Sequence, residues 1–240
     1  MMSHFVQSLK SVLLLEPEDI NDILSLPKKD VNNFILRTDS DQIARYSDYS
    51  ALIHACVSLR QQREESNIFL SCHINADALK EKYLAYFLEL GITGIFLENC
   101  AGGSTLQQLD AILAVAEAQC GLIENDTWII AQASVTPESI FTLAEYTSAP
   151  ARLIAIAFDE GILSNTMGCR GCENRENIAI ARALVIFAAA AANKPALLAF
   201  QQNEQTTPAH YLRARQEGYK GIITSKMNDI DAIKVIFDTL

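Results

Sequence analysis

The stretch LIAIAFDEG, residues 153–161, carries an apolar run into two adjacent acids, Asp159 and Glu160. Neighbouring carboxylates are costly to ionise together unless a cation offsets them, which makes the pair a candidate site for a metal or a cationic partner. Successive side chains on a strand point to opposite faces, so one of the two belongs to a pocket and the other does not. Other reactive residues also follow apolar runs: His73 and Asn75 after NIFLSC, Glu98 after GIFL, Gln132 within WIIAQA, and Lys226 after GIITS. His73 is a titratable imidazole suited to donating a proton. Lys226 would form a Schiff base only if burial or a nearby cation lowered its pKa, and a lysine beside a strand is more often a solvated surface residue.

Three further features have plain structural readings beside their chemical ones. Cys169 and Cys172 form a C-x-x-C, which is redox chemistry or half a zinc site, but no second pair has zinc-like spacing and the incidental reading leads. AGGS at 101–104 could offer backbone N–H groups to a phosphate or simply turn the chain. His54, in ALIHACVSL, reads as a packed helix residue and not as a ligand.

The elements that must position these groups recur along the chain. Eight short apolar runs stand out: SVLLL (11–15), NFILR (33–37), NIFLSCHI (67–74), GIFLE (94–98), TWIIAQA (127–133), RLIAIAF (152–158), ALLAF (196–200) and GIITS (221–225). Each is apolar throughout, as expected of parallel strands covered by helices on one side and packed on the other. Helical segments separate them. Thr136, Pro137 and Glu138 open one with a cap, a proline and an acid; Ser104 and Gly121 bracket another; Gly218 ends a third. Eight strand–helix units predict a (β/α)8 TIM barrel, a fold of roughly 250 residues, occupying residues 1–240 as a single domain. Function then belongs at the C-terminal strand ends: Glu16, Asp39, His73 with Asn75, Glu98 with Asn99, Gln132 with Ser134, Asp159 with Glu160, Gln201 with Asn203, and Lys226.

Composition narrows the partners. The formal charge is −10 and no basic stripe is present, which argues against nucleic acid. The N-terminal MMSHFVQSLK lacks the pattern of a signal peptide. The most apolar stretch, Ile178 to Ala192, contains Arg182 and is too short for a membrane span, so it reads as a buried helix of a soluble, cytoplasmic protein. Six scattered cysteines without an export signal read mostly as small buried hydrophobes.

The order of segments resembles the citrate lyase β-subunit-like branch of the HpcH/HpaI aldolase family. SVLLLEPEDI is similar to that family's opening strand and turn, and GITGIFLENC to the strand that usually ends Leu-Pro-Lys. ENIAIARALVIFAAAAANKPALLAF resembles its Ala-Arg helix and following strand, and ARQEGYKGIITSK its closing unit. The resemblance implies a TIM barrel, a homo-oligomer, and Mg²⁺ held by a Glu at the end of strand five and an Asp at the end of strand six. It also implies an Arg-Val-Asn triplet on strand three, and C–C bond cleavage or formation beside a carbonyl of a short carboxylate or its CoA thioester.

Several positions depart from that pattern. The triplet is His73-Ile74-Asn75, the metal Glu falls at Gln132, and Ile-His-Pro on the last strand has become Ile223-Thr224-Ser225 followed by Lys226. The acidic run on strand two is reduced to Leu36-Arg37-Thr38-Asp39, while Asp159 or Glu160 keeps the strand-six carboxylate. Two readings follow from the resemblance. In one, Glu98 with Asp159 or Glu160 rebuilds the Mg²⁺ site of a lyase, His73 is the catalytic donor, and Asn75, Gln132 and Lys226 bind substrate. In the other, the chain is a catalytically degenerate member serving as a binding or scaffold subunit.

Overall fold

The computed structural model describes residues 9–24, 31–38, 49–169, 176–200 and 206–238. Eight parallel strands close into a barrel in sequence order: β1 (Ser11–Leu15), β2 (Asn33–Arg37), β3 (Asn67–Cys72), β4 (Gly94–Cys100), β5 (Trp128–Ala133), β6 (Leu153–Asp159), β7 (Ala196–Ala199) and β8 (Gly221–Thr224). Val12 opposite Ile223 joins the first strand to the last. The fold is the (β/α)8 TIM barrel expected from the strand–helix recurrence.

Around it lie α1 (Ile20–Leu24), α2 (Ser50–Gln62), α3 (Glu81–Glu89), α4 (Gly103–Cys120), α5 (Pro137–Phe141), α6 (Glu160–Thr166), α7 (Glu176–Ala191), α8 (Pro208–Glu217) and α9 (Ile230–Asp238). Strand residues are apolar on both faces because both are covered. Phe34, Leu36, Leu70, Ile95 and Leu97 pack outward under the helices. Ile35, Phe69, Phe96, Ile130, Ala155 and Leu197 fill the barrel interior. Burying each large side chain contributes about 1.5–3 kcal/mol. Gly94 has no alternative at its position, since a Cβ there would lie 2.2 Å from the Trp128 carbonyl oxygen.

Two irregularities bend this pattern. Leu97 faces Ala131 and Cys100 faces Ala133, so β4 carries one extra residue. Asn99 takes it up in the left-handed region, φ 50°, which Asn tolerates better than most side chains. A second shift, between Ile129 and Ile130 on β5, lets both Ile154 and Ala155 of β6 join the interior.

Helix ends follow the sequence with one correction. Thr136 and Ser139 form a reciprocal capping box, and Gly121 and Gly218 end α4 and α8 with φ of 67° and 117°. Ser104 is not the cap of α4. The helix begins at Gly103, whose N–H donates to Glu145 Oε2 at 2.6 Å. A second correction concerns α7. Ile178, Ala181, Val185 and Ala189 are buried, yet Ile180 and Phe187 stand 59% and 68% exposed, because a helix outside a barrel meets it with one face only.

The N-terminal side of the barrel is held by a buried charge network. Arg152, 1% exposed, donates from Nη1 to Glu117 Oε1 at 2.8 Å and from Nε to Asp110 Oδ1 at 2.5 Å. Glu117 also accepts the Thr127 N–H at 2.7 Å and the Asn125 N–H at 3.0 Å. One ion cluster thereby ties α4 to the entries of β5 and β6.

Candidate active site

The two-residue period that fills the barrel continues past the last apolar layer and decides which polar residues face inward. Val12 and Leu14 lead to Glu16, Ile35 to Arg37, Phe69 to Ser71 and His73, Phe96 to Glu98, Ile130 to Gln132, and Ala155 and Ala157 to Asp159. These polar residues, with Thr38 and Asn99, line a cavity of about 320 Å³ at the C-terminal strand ends. Leu14, Phe96, Ile162, Ala199, Phe200 and Ile223 form its apolar walls.

Glu98 is the centre of its polar contacts. Its Oε1 accepts the Ser71 hydroxyl and its Oε2 lies 3.2 Å from His73 Nε2. His73 Nδ1 is 3.2 Å from Asn99 Nδ2, and the Asn99 N–H donates to Gln132 Oε1 at 3.3 Å. The bulge on β4 is what brings both Glu98 and Asn99 to the cavity, since a regular strand would turn the second one away. β3 ends at Cys72, and the Ala76 N–H donates to the His73 carbonyl at 2.9 Å, so His73 opens the turn that leaves the barrel.

Asp159 closes the arc opposite. It is buried, ends β6, and caps α6 by accepting the Ile162 N–H on Oδ1 at 2.9 Å. Glu160, the other acid of the pair, is not in the cavity lining. It turns to Arg182 of α7, whose Nη1 also donates to Glu217 Oε2 at 2.8 Å. Burial by itself would lower the Arg182 pKa, but Glu160 and Glu217 outweigh it and the pKa is raised. The second acid of LIAIAFDEG is thus a packing ion pair, and the first is the cavity residue.

The remaining expectations are placed as follows. Asn75 is exposed beyond the His73 turn and is not in the lining. Lys226 is also outside it, with Nζ 3.3 Å from Thr206 Oγ1. The N-terminus of α4 behind Gly102 holds the Glu145 carboxylate, which fills the place a phosphate would take. Burial raises the thiol pKa of Cys72, Cys100 and Cys56, the last to about 12, in keeping with cysteines that serve as small hydrophobes. Asp39, Cys172, Gln201 and Asn203 lie outside the described residues. Arg37 and Ser71 were not singled out as site residues from sequence, although the alternation from Ile35 and Phe69 points to both, and Glu16 was named there only as a strand end.

No protein-family model matches the sequence, and no curated protein matches it significantly. Solved structures do. RipC from Yersinia pestis superimposes with a TM-score of 0.71 at 18% identity, covering 98% of this chain and 97% of that one. The HpcH/HpaI aldolase from Desulfitobacterium hafniense gives 0.69 at 12% identity over 99% and 96% of the two chains. CitE from Mycobacterium tuberculosis, in complex with magnesium, acetoacetate and coenzyme A, gives 0.64 at 14% identity over 96% and 81%. The fold is that of the citrate lyase and HpcH/HpaI aldolase proteins. At these identities the likeness establishes architecture, and the chemistry has to be argued from the side chains.

Those side chains define what cation the cavity suits. Among the described residues, no group of three or more His, Cys, Asp or Glu side chains is placed to hold a metal ion, so a site here would rest on two carboxylates and a neutral oxygen donor. Glu98, Gln132 and Asp159 instead offer oxygen donors from three successive strands around one cavity. Mg²⁺ takes oxygen donors, needs one or two carboxylates and keeps several waters, so these are the donor types it would use. Ser71 and His73 hold the Glu98 carboxylate as orienting groups hold a metal ligand.

Proposed function

We propose that the protein is a Mg²⁺-dependent carbon–carbon lyase or aldolase of the citrate lyase β-subunit-like type, acting on a short oxo or hydroxy acid or its CoA thioester. The observation that carries this is the convergence of Glu98, Gln132 and Asp159 on one cavity beside His73. In this reading Glu98 and Asp159 hold the cation and the Gln132 amide oxygen completes the protein's share. The cation, when bound, supplies Lewis-acid stabilisation of the enolate charge that C–C cleavage leaves behind.

The chain's own residues do the rest. His73 stands at the cavity mouth, 3.2 Å from Glu98, and exchanges a proton with the substrate there. Asn99, tied to His73 and to Gln132, fixes the imidazole plane. Phe96, Phe200 and Ile223 exclude water from the reacting carbons. Lys226 is not needed as an amine nucleophile.

Magnesium and coenzyme A beside the CitE fold support the cofactor and substrate class. The reading includes a cytoplasmic homo-oligomer without a nucleic-acid or membrane partner. The apolar outer face of α7 supports self-association, and no described helix is long and apolar enough to cross a membrane. A screen of short hydroxy acids and hydroxyacyl-CoA thioesters with and without Mg²⁺ tests the activity. Turnover that requires the cation is expected; a complete lack of it would leave the degenerate, binding-subunit reading in its place.

A further inference from the structure

The cavity holds more acid than the proposed cation alone explains. Glu16, Glu98 and Asp159 all line it, and among the described residues Arg37 is the one Arg or Lys that does. Arg37 ends β2 on the interior side, opposite Ser71 of β3. Its Nη1 lies 3.3 Å from Glu16 Oε1, and the side chains are 46% and 40% exposed. That pair has one long contact where a guanidinium and a carboxylate can make two short parallel ones. A half-exposed ion pair of this kind is worth little, so it is readily exchanged for a better partner.

We propose that Arg37 is the anchor for a substrate carboxylate and that Glu16 is its displaceable counter-ion, so that the site selects short dicarboxylic acids. The inference rests on the lyase reading for the other end of the substrate, which meets Glu98 and Asp159 through the cation. Arg37 brings a planar fork to this cavity, and only a guanidinium presents two parallel donors to a carboxylate. A second carboxylate on the substrate is then what separates good ligands from poor ones.

The test is calorimetric titration of succinate and of its monoamide in the presence of Mn²⁺, using wild type, Arg37→Gln, Arg37→Lys and Glu16→Gln. The ion pair that they share is half-exposed, so the variants are expected to keep the fold. Succinate should bind at least tenfold more weakly to Arg37→Gln, with Arg37→Lys recovering only part of the loss. Glu16→Gln should bind it severalfold more tightly, and the monoamide should discriminate poorly between wild type and Arg37→Gln. Equal succinate affinity in wild type and Arg37→Gln, weaker binding to Glu16→Gln, or no binding to wild type would each overturn the proposal. Mn²⁺ titrated alone separates this from the lyase reading. If all four proteins bind the metal but Arg37→Gln leaves succinate affinity unchanged, the anchor is wrong and the metal site stands; if none binds it but Arg37→Gln still loses succinate, the reverse holds.

Discussion

His73 Nε2 stands 3.2 Å from Glu98 Oε2, joining the residue that leaves β3 to the one at the bulge of β4. The contact gives each residue a separate task. In the proposed reaction Glu98, fixed by two donors, is the metal ligand, and His73 is the group that moves a proton at the mouth.

That division predicts how His73→Gln behaves. Glutamine keeps a donor near Glu98 but cannot give up or take a proton as an imidazole does. Turnover should fall by about 10²–10⁴-fold, the range usual for a lost general acid or base. Mn²⁺ affinity should change by less than about threefold, because Ser71 still holds Glu98. Equal losses of metal binding and turnover would make His73 a ligand and not a proton donor.

Asn99 offers a test of the bulge. At φ 50° a β-carbon costs about 1–2 kcal/mol except where Asn or Gly relieves it. Asn99→Gly should therefore unfold at nearly the wild-type urea midpoint, and Asn99→Val should unfold distinctly earlier. Both should lower activity, since each removes the side-chain contact to His73. Equal stability of the two variants would mean that the bulge is not held by residue 99.

The barrel was legible in the sequence for a physical reason, and so were its failures. Strands buried on both faces read as unbroken apolar runs, and all eight were recovered within one or two residues of their ends. Asp159 was separable from Glu160 in principle by alternation, and counting inward from Ala155 selects it. Arg37 and Ser71 obey the same count, but a lone polar residue ending an apolar strand carries no mark of chemistry until its neighbours across the barrel are known. Asn99 was visible only as a strand-end residue, because the bulge that brings it inward is a relation between β4 and β5. The Glu145 carboxylate at Gly103, 42 residues away in sequence, leaves no local trace in AGGS.

Away from the site, the Arg152–Glu117 pair should govern acid stability. Burial by itself would raise the Glu117 pKa, but hydrogen bonds from Arg152 and Thr127 outweigh it and hold the carboxyl below its usual value. The unfolded chain then binds that proton more tightly than the folded one. Its contribution is complete above the ordinary glutamate pKa of about 4.3 and is lost as pH falls through the depressed folded value. Urea unfolding across this range should show the loss in wild type and a flatter profile in Glu117→Gln. Arg152→Met, which leaves buried carboxylates without their cation, should cost about 3–5 kcal/mol at neutral pH. A cost within experimental error of zero would contradict the buried network.

The most direct measurement is Mn²⁺ titration, by calorimetry or by water-proton relaxation, of wild type, Glu98→Gln, Asp159→Asn, Glu160→Gln and Gln132→Glu. Wild type should bind one ion. Glu98→Gln and Asp159→Asn should each lose at least tenfold in affinity, Gln132→Glu should gain by adding a carboxylate, and Glu160→Gln should bind as wild type does. No saturable binding to wild type, even with oxalate present, or loss of binding in Glu160→Gln with Asp159→Asn unaffected, would contradict the account.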